Sequence, residues 1–167
     1  MRLRGVRILN ASGKVCTTFD RRFPITVEIT YDILQSFSEL RVGFALLTGD
    51  SVIAFCSHDS ENASWQGRSR GRGSYVSTCT IPGLLMNSGL YTLLVAADIP
   101  HIEVFFWVEN VLKLQIEETG RLCGPYNDRP PGVVRPRLQW RVSKFKATKQ
   151  FGQSWREKMG DKARDGA

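Results

Sequence analysis

Short runs of alternating apolar and polar residues, separated by turn residues, recur along most of this chain. Apolar residues at every second position give an extended strand one buried face, whereas a helix needs them three or four residues apart. Helical periodicity is nearly absent, and alternating runs lie at 6–8, 15–19, 25–31, 40–46, 75–81, 112–116 and 133–142. Residues 52–56 form a short strand after a hairpin turn, and residues 104–108 are apolar on every side, so that 104–116 is either two strands or one bent strand. The pattern predicts an all-β fold, an antiparallel β-sandwich of about eight to nine strands.

The stretch from Ile81 to Ala97 predicts a turn that leads into the central strand. Pro82 and Gly83 cannot continue a regular ladder, and the sequence Asn-Ser-Gly at 87–89 supplies a tight bend. Residues 91–97 then alternate at period two, yet the residues between the core positions are also mostly apolar. A strand with two apolar faces is expected in the middle of a sheet that packs on both sides.

Length and charge indicate one folded domain followed by a tail. The chain has 167 residues, of which 42% are hydrophobic and 10% aromatic, enough for one core. The net charge is +7, and residues 144–167 contribute +4 of it through seven basic and three acidic side chains. We therefore expect a β-sandwich domain over residues 1–143 and a basic, mostly disordered tail over residues 144–167.

Neither a membrane span nor a metal site is indicated. No run approaches the roughly 18 apolar residues of a spanning helix, and residues 1–4 are not followed by an apolar stretch, so a soluble, unexported protein is expected. The four cysteines are widely spaced, with no Cys-x-x-Cys pattern and no neighbouring histidine cluster. They are expected to be buried free thiols: Cys16, Cys56, Cys79 and Cys123. No metal or other cofactor is predicted.

The motifs of catalysis and of phosphate binding are missing from the sequence. The only histidines are His58 and His101, and there is neither a Gly-x-Ser-x-Gly elbow nor a phosphate-binding loop. Asp59 and Glu61 are two residues apart in a polar loop, where solvated charge is the ordinary interpretation. The chain is therefore not expected to be an enzyme.

Arginines at 68, 70 and 72 alternate with serine and glycine in the long polar loop 58–73. Glycine-spaced arginines are found in proteins that bind single-stranded RNA. No aromatic residue stands between these arginines to stack on a base, so a solvated loop is the simpler interpretation. RNA binding remains a distant alternative, and no nucleic-acid partner is predicted.

Five segments, in their order and spacing, resemble one family: V-R-I-L-N-A-S-G-K at 6–14, the strand at 25–31, V-G-F-A-L at 42–46, I-P-G-L-L-M-N-S-G-L-Y-T-L at 81–93, and G-V-V with a closing tryptophan at 132–140. They resemble the carbohydrate-binding C-terminal domain of the Wzt type, which is fused to the ATPase of bacterial ABC transporters that export O-antigen polysaccharide. The resemblance spans roughly residues 6–142. It implies an immunoglobulin-like or jelly-roll β-sandwich.

The same resemblance implies a noncatalytic module that binds a polysaccharide glycan, in the cytoplasm at the inner face of the bacterial membrane. The implied partners are the transporter's ATPase and membrane subunits, together with a second copy joined by exchange of C-terminal strands. The prolines in the loop 120–132 disfavour a direct return of the last predicted strand, 133–142, to its own sheet, which also favours exchange. A dimerisation or interaction domain without sugar binding is the alternative function.

Two segments depart from the family pattern. Residues 22–25 read R-F-P-I where the family usually has G-E-P-L, and 104–106 are apolar where the family is commonly polar and acidic. The second departure indicates that this region binds something different. With no phosphate-binding loop in this sequence, the ATPase belongs either to a longer protein or to a separate subunit.

Sugar recognition needs flat aromatic faces and fixed hydrogen-bonding groups. Three stretches of this chain supply them, and the resulting candidates for carbohydrate binding are His58, Asp59, Trp65, Arg68, Arg70, Trp107, Glu109 and Tyr126. The arginines would suit a glycan that carries carboxylate or phosphate. Core packing is the alternative for Trp107, and Trp140, which closes an alternating run, is assigned to the core outright.

Overall fold

The chain forms two β-sheets around one apolar core in the computed structural model, which describes residues 1–62, 68–119 and 131–143. The described residues contain eight strands and one short 3-10 turn at Asp59–Glu61. The strands are β1 Arg2–Leu9, β2 Thr18–Asp20, β3 Ile25–Ile33, β4 Arg41–Thr48, β5 Ile53–His58, β6 Gly73–Ile81, β7 Gly89–Ile99 and β8 Glu103–Glu117. The predicted all-β sandwich is confirmed.

The two sheets differ in size and in the direction of one pair. The smaller sheet has the order β1-β3-β6 and the larger sheet the order β2-β8-β7-β4-β5. Neighbouring strands are antiparallel except for β2 and β8, which run parallel. The residues on either side of β2 also bond to β8. Gln115 N donates to Thr17 O at 2.7 Å, and Arg21 N donates to Glu117 O at 2.9 Å.

Alternate residues of the strands fill the space between the sheets. In β3 every second residue is buried, as its sequence predicts. The larger sheet contributes the matching face from β4, β7 and β8. The core residues of these four strands are Ile25, Val27, Ile29, Tyr31, Ile33, Val42, Phe44, Leu46, Tyr91, Leu93, Val95, Ala97, Leu114 and Ile116.

Strand β7 lies between β8 and β4, which confirms the prediction that residues 91–97 form the central strand. The expectation that both faces pack against another layer is wrong for the residues that the structure describes. On the outer face of the larger sheet, Val104 and Trp107 are both 61% exposed. The apolar residues of that face line an open groove.

The predicted last strand, 133–142, is wrong. Val134 makes a single bridge to Met86, and residues 135–143 form no strand. Trp140 is 87% exposed, so its assignment to the core is also wrong. Alternation shows that a segment has an apolar face, but a strand also needs a hydrogen-bonded neighbour, and no described segment supplies one here.

Contacts group residues 1–137 into one compact unit, and a second unit begins at Leu138. The predicted tail, 144–167, lies outside the described residues, as does the loop 120–130, so their expected properties stay predictions. No helix in the described ranges is long and apolar enough to cross a membrane.

Three of the four cysteines are seen as free thiols, as predicted: Cys16, Cys56 and Cys79. Cys123 lies outside the described residues. The expectation of burial is wrong for Cys56, which is exposed because its side chain lies on the outer face of the edge strand β5. Burial raises the pKa of the Cys79 thiol between the sheets.

Candidate functional site

Trp107 lies on the outer face of the larger sheet, opposite Ala96 of β7. A bulge in β8 sets this orientation, because Ala97 pairs with Phe106 and Asp98 with Val104. The extra residue, Phe105, turns inward and packs against Phe37 with ring centroids 4.5 Å apart. The alternative that Trp107 belongs to the core is therefore wrong.

The indole of Trp107 is held by its neighbour Glu109. Its Nε1–H donates to Glu109 Oε1 at 3.0 Å. This bond engages the only polar atom of the ring, so the remaining exposed surface of the side chain is the flat aromatic face. An exposed, fixed aromatic face is suited to stacking on a ligand.

Trp107 forms one wall of a cavity of about 330 Å³, which we call the outer groove. One residue from each of four neighbouring strands lies in register across the groove: His58 of β5, Gly43 of β4, Ala96 of β7 and Trp107 of β8. Neighbouring strands lie about 4.8 Å apart, so three spacings place the His58 and Trp107 backbones about 14 Å apart. Between the two rings the row contains only a glycine and an alanine.

Gly43 allows the groove to form because β5 lies so close to it. A Cβ atom at this position would lie 2.4 Å from Ser57 O and 2.7 Å from His58 Cβ. The contact at the Ser57 oxygen involves backbone, which cannot move without shifting β5. Glycine therefore keeps the centre of the groove open and β5 in register.

An ion pair lies along one side of the outer groove. Arg41 of β4 is opposite Asp98 of β7, and its Nε–H donates to Asp98 Oδ1 at 2.9 Å. Its Nη2 donates to Asp98 Oδ2, which makes the pair bidentate. Such a pair presents a planar set of donors and acceptors in a fixed orientation.

His58 ends β5 and stands between the outer groove and a second hollow, the inter-sheet cleft, of about 370 Å³. Its Nδ1 hydrogen-bonds with Ser60 Oγ at 2.9 Å, and its Nε2 lies 3.7 Å from Glu61 Oε1. The 3-10 turn that follows therefore supplies the hydrogen-bond partner of Nδ1 and lies beside Nε2.

Asp59 and Arg70 form an internal ion pair at the end of the inter-sheet cleft. Arg70 Nη1 donates to Asp59 Oδ2 at 2.8 Å and to Tyr31 Oη at 2.7 Å, and the arginine side chain is only 3% exposed. Asp59 also accepts from Ser77 Oγ at 2.6 Å and from Val42 N at 3.0 Å. The expectation that both are solvated loop charges is wrong.

The backbone explains why Arg70 turns inward. Arg70 N donates to Phe37 O at 2.7 Å, and Phe37 N donates to Arg70 O at 3.0 Å. This two-residue bridge fastens the loop to the sandwich and aims the arginine at Asp59. Burial raises the pKa of Tyr31, whose hydroxyl lies in the same cluster.

The predicted candidates thus fall into three groups. His58 and Trp107 line the outer groove, with Glu109 beside it. Asp59 and Arg70 form the internal pair, Arg68 is exposed on the loop, and Trp65 and Tyr126 lie outside the described residues. Sequence reasoning missed Arg41, Asp98 and Cys56, because only the register of β4 with its neighbours brings them together.

A metal site would require several His, Cys, Asp or Glu side chains close together within the described ranges. No group of three or more His, Cys, Asp or Glu side chains there could hold a metal ion.

Two comparisons with known proteins give a match. The family model of the Wzt C-terminal domain matches residues 1–127. The crystal structure of the C-terminal domain of Wzt is similar to this fold with a TM-score of 0.64, and the match covers 86% of this chain and 83% of that one at 15% sequence identity. The search of curated proteins gives no match. At this identity the structural match supports the fold alone.

Proposed function

We propose that this chain, which belongs to the Wzt C-terminal domain family, binds the glycan that an O-antigen ABC transporter exports and catalyses no reaction on it. Family membership indicates a role in such a transporter. Sugar binding goes beyond family membership, and the observation that supports it is the position of Trp107. This tryptophan is 61% exposed, fixed by Glu109 and placed at the wall of a groove.

The outer groove has the chemistry that a sugar ring requires. The apolar face of a pyranose stacks on an aromatic ring, and its vicinal hydroxyls match a planar pair of donors and acceptors. Trp107 supplies the aromatic face and Arg41 with Asp98 the polar pair, all on rigid strands. The proposed site is therefore the outer face of the larger sheet.

The loops are proposed to extend this site. Arg68 is exposed two residues before the bridge at Arg70. His58, which lines the groove, is the first residue of the same loop, 58–73. Trp65 and Tyr126 remain proposed contacts. Asp59 and Arg70 support the proposal differently, by holding the turn that follows His58.

Trp107→Ala tests the site directly. Loss of an aromatic anchor that the bound ligand covers costs about 2 kcal/mol or more, which is roughly thirtyfold in affinity. Calorimetric titration with the polysaccharide repeat should show this loss without a change in melting temperature. The matched control is Phe23→Ala, an aromatic residue that is 53% exposed away from the groove. Equal binding by Trp107→Ala and wild type would exclude the outer groove.

Cys56 offers an independent measurement, since it is exposed within the groove. A bound glycan should slow alkylation of Cys56 while leaving the rate at Cys16 unchanged. Unaltered alkylation of Cys56 at saturating glycan would place the bound sugar elsewhere.

We also propose a homodimer formed by exchange of C-terminal strands. The described residues 138–143 show three exposed apolar side chains at period two, those of Leu138, Trp140 and Val142. Pairing with the sheet edge of a second copy would bury that face. Light scattering should give twice the chain mass, and Trp140→Asp should shift the protein toward monomer. A wild-type monomer at about tens of micromolar would refute the exchange.

The alternative function, an interaction domain without sugar binding, predicts the dimer and no glycan affinity. A glycan array separates the two functions, because only the first gives a bound sugar. RNA binding is less favoured, since Arg70 is used internally and only Arg68 and Arg72 of the three loop arginines are exposed. Steep loss of affinity with salt would support RNA. The proposed location is the cytoplasmic face of the membrane, through the transporter.

A further inference from the structure

The outer groove has two chemically different sides. Three rows of residues cross it, and each row is two residues along the strands from the next, about 6.7 Å. Arg41 and Asp98 form the first row, and Gly43 and Ala96 lie in the middle. The third row, Ala45 with Leu94 of β7 and Cys56 of β5, offers methyl groups and a thiol.

The indole N–H of one side wall and one imidazole nitrogen of the other are already hydrogen-bonded. Trp107 Nε1 donates to Glu109, and His58 hydrogen-bonds with Ser60 through Nδ1. Arg41 and Asp98, which both line the groove, form an ion pair with each other. A guanidinium has five N–H donors, and the pair uses those on Nε and Nη2, so others remain for a ligand.

We infer that the groove selects a 6-deoxyhexose, an inference that rests on the proposed glycan site. The ring hydroxyls bind at Arg41 and Asp98, and the C6 methyl lies against Ala45 and Leu94. A hexose with a hydroxyl on C6 would place that group on the apolar row. Its hydrogen bonds to water would be lost there without replacement, which costs affinity.

The test uses pairs of sugars that differ only at C6, each as the methyl glycoside. The pairs are L-fucose with L-galactose, D-rhamnose with D-mannose, L-rhamnose with L-mannose, and D-quinovose with D-glucose. Each sugar is titrated into the isotope-labelled full chain, and the backbone amide signals of Ala45, Ala96 and Trp107 are followed by NMR. In at least one pair, the deoxy sugar should bind about tenfold more tightly than its partner.

Ala45→Ser places a hydroxyl on the apolar row with little change in volume, and it should reduce the preference to about threefold or less. Ala11→Ser, the same substitution in an exposed turn, is the control and should keep the full preference. Equal affinities within every pair, or a full preference in Ala45→Ser, would overturn the inference while the glycan site stands. If no sugar shifts these signals, the glycan site itself fails, and the inference with it.

Discussion

Replacing Arg70 with alanine should destabilise the domain strongly, although composition alone places this residue on a solvated loop. Arg70 is 3% exposed and Asp59 is 18% exposed, and the two side chains bond at 2.8 Å. Removal of one partner of a buried ion pair costs about 3–5 kcal/mol, because the other charge stays buried. Asp59 keeps its bonds from Ser77 and Val42, so the lower end, about 3 kcal/mol, is expected.

Urea unfolding followed by circular dichroism measures this effect. Against a total stability of about 5–15 kcal/mol, a loss of 3 kcal/mol is large, and at about 2 kcal/mol per molar urea it lowers the midpoint by about 1.5 M. Arg68→Ala is the matched control, and its stability should stay within about 0.5 kcal/mol of wild type since the side chain is exposed.

A double variant separates the charge from the packing. Arg70→Met with Asp59→Asn removes both charges and should recover part of the lost stability, since no ion is left unpaired. The reasoning fails if Arg70→Ala unfolds within about 1 kcal/mol of wild type. It also fails if the double variant is less stable than Arg70→Met alone.

Two further outcomes follow from the described contacts. Hydrogen bonds from Arg22 hold the pKa of Asp20 at about 2, below its ordinary 3.8, so this carboxylate's contribution to stability is complete above pH 3.8 and is lost as the pH falls through 2. Carbon NMR titration should show this pKa, and Arg22→Ala should return it toward 3.8; no change would contradict the assignment. Gly43→Ala should cost about 1–3 kcal/mol in thermal unfolding, because its Cβ would lie 2.4 Å from Ser57 O. Gly5→Ala is the control, because a Cβ atom at Gly5 would have no other atom within 4 Å, and its loss of stability should be far smaller. Equal losses of stability in the two variants would contradict the steric argument.

The strands could be predicted because their pattern is local. The alternation at residues 25–31 recurs in the structure as β3, Ile25–Ile33, with the predicted residues facing the core. The last strand failed because alternation in residues 133–142 shows an apolar face without showing what covers it. Trp140 illustrates the difference, since the same pattern that buries Tyr91 leaves this tryptophan 87% exposed.

Residue types in the sequence could predict some of the side chains in the groove. The register between neighbouring strands, which brings the other side chains together, could not be predicted. Trp107 and His58 were candidates as an aromatic ring and a hydrogen-bonding ring, and the structure brings both to one groove. Arg41 and Asp98 are 57 positions apart in the chain. Their pairing depends on which residues of β4 and β7 are opposite each other, which the periodicity of either strand alone does not determine.

The position of Arg70 also changes how binding data should be interpreted. Asp59 follows His58 directly, so loss of the Arg70 ion pair would move the wall of the outer groove without removing any contact to a sugar. Weaker binding by Arg70→Ala is therefore not evidence that the arginine touches the glycan. Trp107→Ala removes a surface side chain and leaves the ion pair in place. Evidence for a sugar contact at Arg70 would need two results for Arg70→Ala. The variant would have to lose affinity for the glycan at a temperature where the domain is still folded, and NMR would have to show an unchanged environment for Asp59. Without those results, the groove residues are the proposed sugar contacts and the buried pair is their support.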